Sequence, residues 1–212
     1  MHFVKKVEAA GYQVDYVSPR GGYTPIDPHS LAMADDTDWT WYQTKEFMNR
    51  LGATLKPSEV KPDDYVAIYF AGGHGVIWDF PDNEELQAIS RRIYESGGYV
   101  SSVCHGAAGL LNIKMSDGTL LVKGKKVTGF SNEEEKLAEL DKYVPFLTET
   151  ELVNRGAIYT RRMSLGQHML LKTGDSLVAK TRLRVMPSLN CCSRLLREVP
   201  NNRLQRMAYR RR

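Results

Sequence analysis

Cys104 and His105 are the residues whose types and spacing point most directly to chemistry in this chain. The apolar, β-branched run Tyr99-Val100-Ser101-Ser102-Val103 feeds straight into Cys104-His105-Gly106, and the helix-compatible run Ala107-Ala108-Gly109-Leu110-Leu111 follows. That order describes a strand, a sharp turn and a helix, with a thiol on the turn. A cysteine there sits at the positive end of a helix dipole beside a histidine, which favours its thiolate. The thiolate is the reactive form, so the motif reads as a nucleophile on an elbow, with a strained backbone expected at Cys104. Taken alone, Cys104 also fits a buried structural cysteine.

A second run, Tyr65-Val66-Ala67-Ile68-Tyr69-Phe70, is apolar throughout, as in strands buried on both faces of a parallel sheet, and it ends in Ala71-Gly72-Gly73-His74-Gly75. Glycine lets backbone N–H groups approach a ligand closely, as an oxyanion hole requires. By itself this is a tight turn. One strand ahead of a Cys-His elbow it becomes the second half of a site, because both loops then lie at the carboxyl ends of strands, where doubly wound sheets bind ligands. Gly73 is thus the candidate oxyanion donor. His74 is a candidate pocket residue, with a histidine that merely satisfies its own loop as the alternative. Asp79, Asp82 and Glu84 share no ligand spacing with a histidine pair, so no metal is assigned to them. His2 and His29 read as surface positions.

The elements that must position these residues follow from periodicity and stop signals. Met1–Ala10 reads as a helix with Phe3, Val4 and Val7 on one face, ended by Gly11. Tyr12–Ser18 alternates like a strand. Pro19–Pro28 is a turn-rich loop, Asp38–Leu51 a helix, and Asn83–Ser96 a helix stopped by Gly97-Gly98. Leu120-Leu121 and Lys126–Phe130 read as short strands around a Lys-Gly turn. Asn132–Leu140 reads as a helix with Asn132 as its N-cap. Strands alternating with helices imply an α/β fold on a parallel sheet.

At 212 residues the chain can bury a sizeable core, and its 42% hydrophobic and 25% charged content is that of a globular protein. No apolar run approaches the ~20 residues that span a membrane. Of the three cysteines, Cys191 and Cys192 are adjacent, which does not make a disulfide framework and suits a reducing cytoplasm. The net charge of +4 hides an asymmetry: Thr160–Arg212 holds 13 of the 29 Lys/Arg but only 2 of the 25 Asp/Glu. A basic tail on an acidic body can signal a nucleic-acid or membrane arm. Tyr209 is its only interleaved aromatic, so neither nucleic acid nor membrane is expected as a partner.

Several phrases resemble the ThiJ/PfpI superfamily, and most closely its heat-shock-protein-31-like branch: AGYQVDYVSPRGG followed by PIDPHSL, DDYVAIYFAGGHGVIWDFPDNEELQ, GGYVSSVCHGAAGLLN and GTLLVKGKKVTGFSNEEE. The resemblance runs from Met1 to about Tyr159. It implies a flavodoxin-like parallel sheet flanked by helices, of the class I glutamine amidotransferase type. It also implies cofactor-independent glyoxalase III activity, converting methylglyoxal to lactate. Cys104 would attack the aldehyde or ketoaldehyde carbonyl, His105 would shuttle a proton, and backbone N–H groups near Gly73 and His105 would hold the oxyanion. Aligning the phrase GFSNEEE places Glu135 in the position of the triad acid, with Glu133 and Glu134 on a solvated face. The same branch holds stress-related holding chaperones and protein deglycases, which remain open beside the glyoxalase, as does an amidase or peptidase. A homodimer is implied, without cofactor or metal.

Members of that family open with a first strand and a loop bearing a catalytic glutamate, and neither matches here. The expectation is therefore a chain incomplete at both ends, with impaired activity or none, down to a non-catalytic remnant. Residues 1–159 form the α/β domain, and 160–212 are expected to be a basic, disordered tail outside the family pattern. Met163–Pro187 can be back-translated so that the frame two nucleotides on encodes a segment like the family's closing strand-turn-strand. The tail thus reads as a frameshift product.

Overall fold

The computed structural model describes residues 2–160 and 168–172. Four short helices open the chain: α1 (His2–Ala9), α2 (Pro28–Ala32), α3 (Asp36–Tyr42) and α4 (Lys45–Gly52). β1 (Ala67–Phe70), α5 (Val76–Asp79), α6 (Glu84–Glu95) and β2 (Tyr99–Val103) make the unit that carries the elbow, and a 3-10 helix, Cys104–Leu110, follows it directly. Then come β3 (Lys126–Val127), α7 (Asn132–Leu137), α8 (Thr148–Asn154), β4 (Ile158–Tyr159) and β5 (His168–Lys172).

β1 and β2 pair in parallel, with Ala67 opposite Tyr99 and Phe70 opposite Ser102. That register brings the loops after Phe70 and Val103 out at the same end. β3 and β4 form a second parallel pair. β5 lies antiparallel on the far side of β2, with Val103 opposite His168. The crossover between β1 and β2 is α6. The Asn83 side chain caps it by accepting from the Leu86 N–H at 2.8 Å, and Glu84 and Glu85 sit in its positive first turn. Its apolar face buries Leu86, Ile89, Ile93 and Tyr94. Gly97 then turns the chain at φ +83°, and Gly98 passes where a Cβ would sit 2.7 Å from the Val66 carbonyl. Glycine is required at both points.

The main core joins Phe70, Ile77, Val100, Leu110, Leu111, Ile113, Leu121, Val122, Val127 and Leu152. Complete burial of such side chains contributes roughly 1.5–3 kcal/mol each. The 3-10 helix bearing Cys104 is clamped in this core: a Cβ on Gly106 would fall 2.3 Å from the Phe70 carbonyl, and one on Gly109 2.5 Å from the Phe70 ring.

The structure corrects several local expectations. Tyr12–Ser18 forms no strand; its one ladder contact is an isolated bridge from Val17 to Leu55. Asp38–Leu51 is two helices, because the Thr44 hydroxyl caps the Phe47 N–H and starts α4 afresh. The fully buried strand expected at Tyr65–Phe70 is half-buried until Phe70, because among the described residues β1 has a strand neighbour on one side only. Leu120 makes an isolated bridge to Lys114, leaving Lys126–Val127 as the strand after the Lys-Gly turn. Ser131, one residue earlier than Asn132, is the N-cap of α7, and the helix ends at Leu137. The helix after Cys104 is 3-10, not α. Apart from 168–172, the tail reading falls outside the described residues, as do Cys191 and Cys192. Among the described residues no helix is long and apolar enough to cross a membrane.

Candidate active site

Cys104 stands at the junction of β2 and the 3-10 helix with φ +53°, in the left-handed region that side chains other than glycine rarely adopt. Three contacts hold it there. Gly72 brings its backbone against the elbow, so that a Cβ would sit 3.0 Å from the Cys104 Cβ. The Phe130 N–H donates to the Cys104 carbonyl at 3.3 Å. Gly106 is pressed on β1, as described above. The strain belongs to the fold and aims the thiol away from the core toward the Gly72–Gly73 turn, which is exposed.

The backbone N–H groups of Gly73 and His105 both hydrogen-bond toward the Cys104 sulfur. Gly73 reaches this orientation at φ +115°, a conformation that glycine alone adopts easily. Two convergent amides beside a nucleophile are the donor pair that a developing oxyanion requires. They lower the thiol pKa but do not dominate it. Burial pushes the Cys104 thiol up to about 11, and Glu134 and Glu135 push in the same direction. This overturns the thiolate expected from a helix terminus and an adjacent histidine. The cause is desolvation near two carboxyl groups, and a single 3-10 segment with a weak dipole does not offset it.

The His105 ring is fully buried, with Nδ1 3.4 Å from the Cys104 Sγ and Nε2 2.7 Å from Glu135 Oε2. Burial presses the His105 pKa below the ordinary histidine range, against the hydrogen bond from Glu135, with the neighbouring His74 adding a smaller downward push. The ring is therefore neutral near pH 7. A carboxylate only accepts, so Nε2 carries the ring proton and Nδ1 presents its lone pair to the thiol. That is the tautomer a general base needs. The Phe130 ring packs 4.0 Å from His105 at 33°, keeping water off one side.

Glu135 is 1% exposed, although it lies in a run of three glutamates. A capping box explains how it turns inward. The Ser131 hydroxyl accepts from the Glu134 N–H at 3.2 Å, and Glu134 Oε2 accepts from the Ser131 N–H at 2.8 Å. Glu134 is thereby committed to the cap, Glu133 faces solvent, and the next position faces the core. Glu149 Oε2 accepts from the Asn132 N–H at 2.7 Å, docking α7 on α8. The Tyr159 hydroxyl donates to the Gly129 carbonyl at 2.8 Å, fixing the segment between β3 and α7.

His74 is half-buried, and its Nε2 lies 2.8 Å from Glu135 Oε1. The pocket residue of the sequence reading is thus a second partner of the buried carboxylate. Its ring centroid is 4.0 Å from that of His105. Residues 74 and 135 lie far apart in sequence with no motif between them, so spacing gave no sign of this contact. Phe130 was likewise missed as a site residue. Asp79 and Glu84 lie on α5 and α6, Asp82 bonds Asn112, and none of them joins the cluster. A cavity of about 640 Å³ lined by Glu8, Tyr12, Tyr16 and Arg50 lies elsewhere and holds no nucleophile.

Cys104, His105 and Glu135 therefore form a continuous thiol–imidazole–carboxylate chain, with Gly73 and His74 at its solvent side. Such a chain can add a sulfur to an electrophilic carbonyl and move the released proton.

Comparison with known proteins gives consistent results. Residues 1–170 match the DJ-1/PfpI family. The chain is 36% identical over 149 residues to the glutathione-independent glyoxalase HSP31 of Saccharomyces cerevisiae, covering 66% of this chain and 61% of that protein. It is 30% identical over 165 residues to glyoxalase 3 of Candida albicans, covering 76% and 66%. It thus spans about three fifths to two thirds of the length of these relatives. Among solved structures, glyoxalase III of Candida albicans superposes with a TM-score of 0.70 at 30% identity, over 77% of this chain and 72% of that one. The Rapid Encystment Protein of 24 kDa from Francisella tularensis gives 0.72 at 36% identity, over 76% and 73%.

Proposed function

The chain belongs to the DJ-1/PfpI family, and from that premise we propose that it is a cofactor-independent glyoxalase of the glyoxalase III type, converting methylglyoxal to lactate through Cys104. The observation that carries this is the unbroken chain Cys104 Sγ–His105 Nδ1 and His105 Nε2–Glu135 Oε2, at 3.4 and 2.7 Å. The two curated relatives described above carry glyoxalase names. We read residues 1–159 as the α/β domain that holds the site.

The resting thiol is protonated, so attack is concerted with proton removal. The Cys104 sulfur bonds to the aldehyde carbon of methylglyoxal as its proton passes to His105 Nδ1. Glu135 stabilises the imidazolium through Nε2. The carbonyl oxygen gains the electron pair, is held by the Gly73 and His105 N–H groups, and takes the proton back from His105, giving a neutral hemithioacetal and freeing the imidazole as a base. The aldehyde-derived C–H then loses its proton, and the adjacent ketone carbon gains one through an enediol, with His105 as carrier. The two-carbon unit is thereby redistributed from ketone and hemithioacetal to alcohol and thioester with no external oxidant. Water releases lactate and restores the thiol. Burial of His105 under Phe130 keeps bulk water from competing for the imidazolium proton.

The deciding assay is lactate formation from methylglyoxal with no glutathione and no added metal. Turnover is expected in the unsubstituted chain and is lost in Cys104→Ser. Equal turnover in both would refute the assignment.

A further inference from the structure

We propose that His74, His105 and Glu135 form a binding site for a zinc-class divalent cation, one that leaves the Cys104 sulfur uncoordinated. His74 Nε2 and His105 Nε2 approach the same carboxylate, one on each oxygen, at 2.8 and 2.7 Å. One donor atom from each of the three residues lies within 4.8 Å of the others. Two imidazole nitrogens and one carboxylate oxygen are a donor set of zinc character, not one for magnesium or calcium, which take oxygens.

Zinc holds such ligands at about 2.0–2.2 Å, leaving a fourth position for water. The shift needed to close the donors around an ion falls on His74, which is half-exposed, while His105 and Glu135 stay clamped in the core. The exposed side of His74 also provides the route in and the face where the water sits. The ion takes the place of the Nε2 proton of each ring. These ligands come from the loop after β1, the 3-10 helix and α7, which is why their sequence spacing gave no metal signal.

The consequence for the thiol follows from the imidazole ring. A neutral imidazole carries one proton. With the metal on His105 Nε2, that proton moves to Nδ1, which faces the Cys104 sulfur 3.4 Å away. Nδ1 then donates and has no lone pair left to take the thiol proton. The Cys104 sulfur lies against Nδ1, across the ring from the metal, so it is not a ligand. Zinc therefore occupies the site without capping the thiol.

The experiment is calorimetric titration with zinc chloride, substrate absent, in a Cys191→Ser/Cys192→Ser background of the full chain. Magnesium serves as the control ion. One zinc per chain is expected, retained in Cys104→Ser and weakened more than about tenfold in His74→Ala, given what loss of even an outer partner costs metal sites. His74 is half-exposed, so this variant is expected to fold; circular dichroism checks it, and Glu135→Gln provides a second ligand deletion. Cys104 is expected to stay open to iodoacetamide in the zinc-loaded protein. Absence of zinc binding, unchanged affinity in folded His74→Ala, or loss of binding in Cys104→Ser would each overturn the proposal. Because binding is read without substrate, its outcome is separate from that of the glyoxalase assay.

Discussion

Raising the pH across the Cys104 thiol tests the electrostatics of the site directly. Burial pushes that thiol up to about 11, with Glu134 and Glu135 adding to the effect. With that value the ionised fraction at pH 7.5 is about 3 × 10⁻⁴, against about 0.1 for an unperturbed thiol near 8.5. Since only the thiolate alkylates, Cys104 is expected to react with iodoacetamide about 300-fold more slowly than a free peptide thiol at pH 7.5. The rate should climb tenfold per pH unit well past pH 9. The assay is peptide-mapped alkylation from pH 6 to 10.5 on the folded chain, with Cys191→Ser/Cys192→Ser removing competing thiols. Glu135→Gln sharpens the test. Removing one negative charge lowers the thiol pKa and speeds alkylation, while the same change slows turnover by unseating His105. A midpoint below pH 8, or a Glu135→Gln variant that slows both reactions, would refute the reasoning and return Cys104 to a resting thiolate.

Three further outcomes follow. Glu135→Gln should reduce kcat for glutathione-free methylglyoxal turnover by about 10²–10⁴, the range for a displaced general base, with KM nearly unchanged. Gly106→Ala should destabilise the fold by roughly 1–3 kcal/mol in urea unfolding, because its Cβ would fall 2.3 Å from the Phe70 carbonyl in a clamped segment. Acid should weaken the protein through His105. Its pKa is lowered by burial, so the unfolded chain takes up a proton near pH 6.5 that the native chain refuses. The stability from this group is complete above that pH and falls below it, by up to about 1.4 kcal/mol per pH unit. Denaturant midpoints from pH 5 to 8 check this, and the His105 share of the slope should vanish in His105→Gln.

The parts of the site legible in the sequence are those fixed by local chemistry. Cys104 and His105 are neighbours, and the strand before them and the small residues after them force the elbow. Gly73 was legible only because its glycine turn comes one strand ahead of the Cys-His elbow; alone it reads as a tight turn. Glu135 came from a resemblance in phrase, and its inward orientation depends on Ser131 and Glu134 closing a capping box, a pattern present in Ser131-Asn132-Glu133-Glu134 itself. The break at Thr44 was similarly written as an N-cap inside a periodic stretch. Contacts set by tertiary packing were not legible. The bond from His74 to Glu135 depends on the loop after β1 meeting α7. The high thiol pKa depends on desolvation, which no local pattern encodes. Tyr12–Ser18 has strand alternation, yet alternation specifies a face and not a partner, and only Val17 finds a bridge.

The left-handed backbone at Cys104 places function and stability in opposition. For a residue with a Cβ, that conformation costs about 1–2 kcal/mol, and glycine is spared it. A lineage selected for stability alone would drift toward glycine or asparagine at this position and lose the sulfur in doing so. Persistence of cysteine there among relatives would therefore be a signature of selection for reactivity. In copies of the gene released from catalytic duty, position 104 is among the first that should change, while Gly106 and Gly109, whose demands are purely steric, should stay.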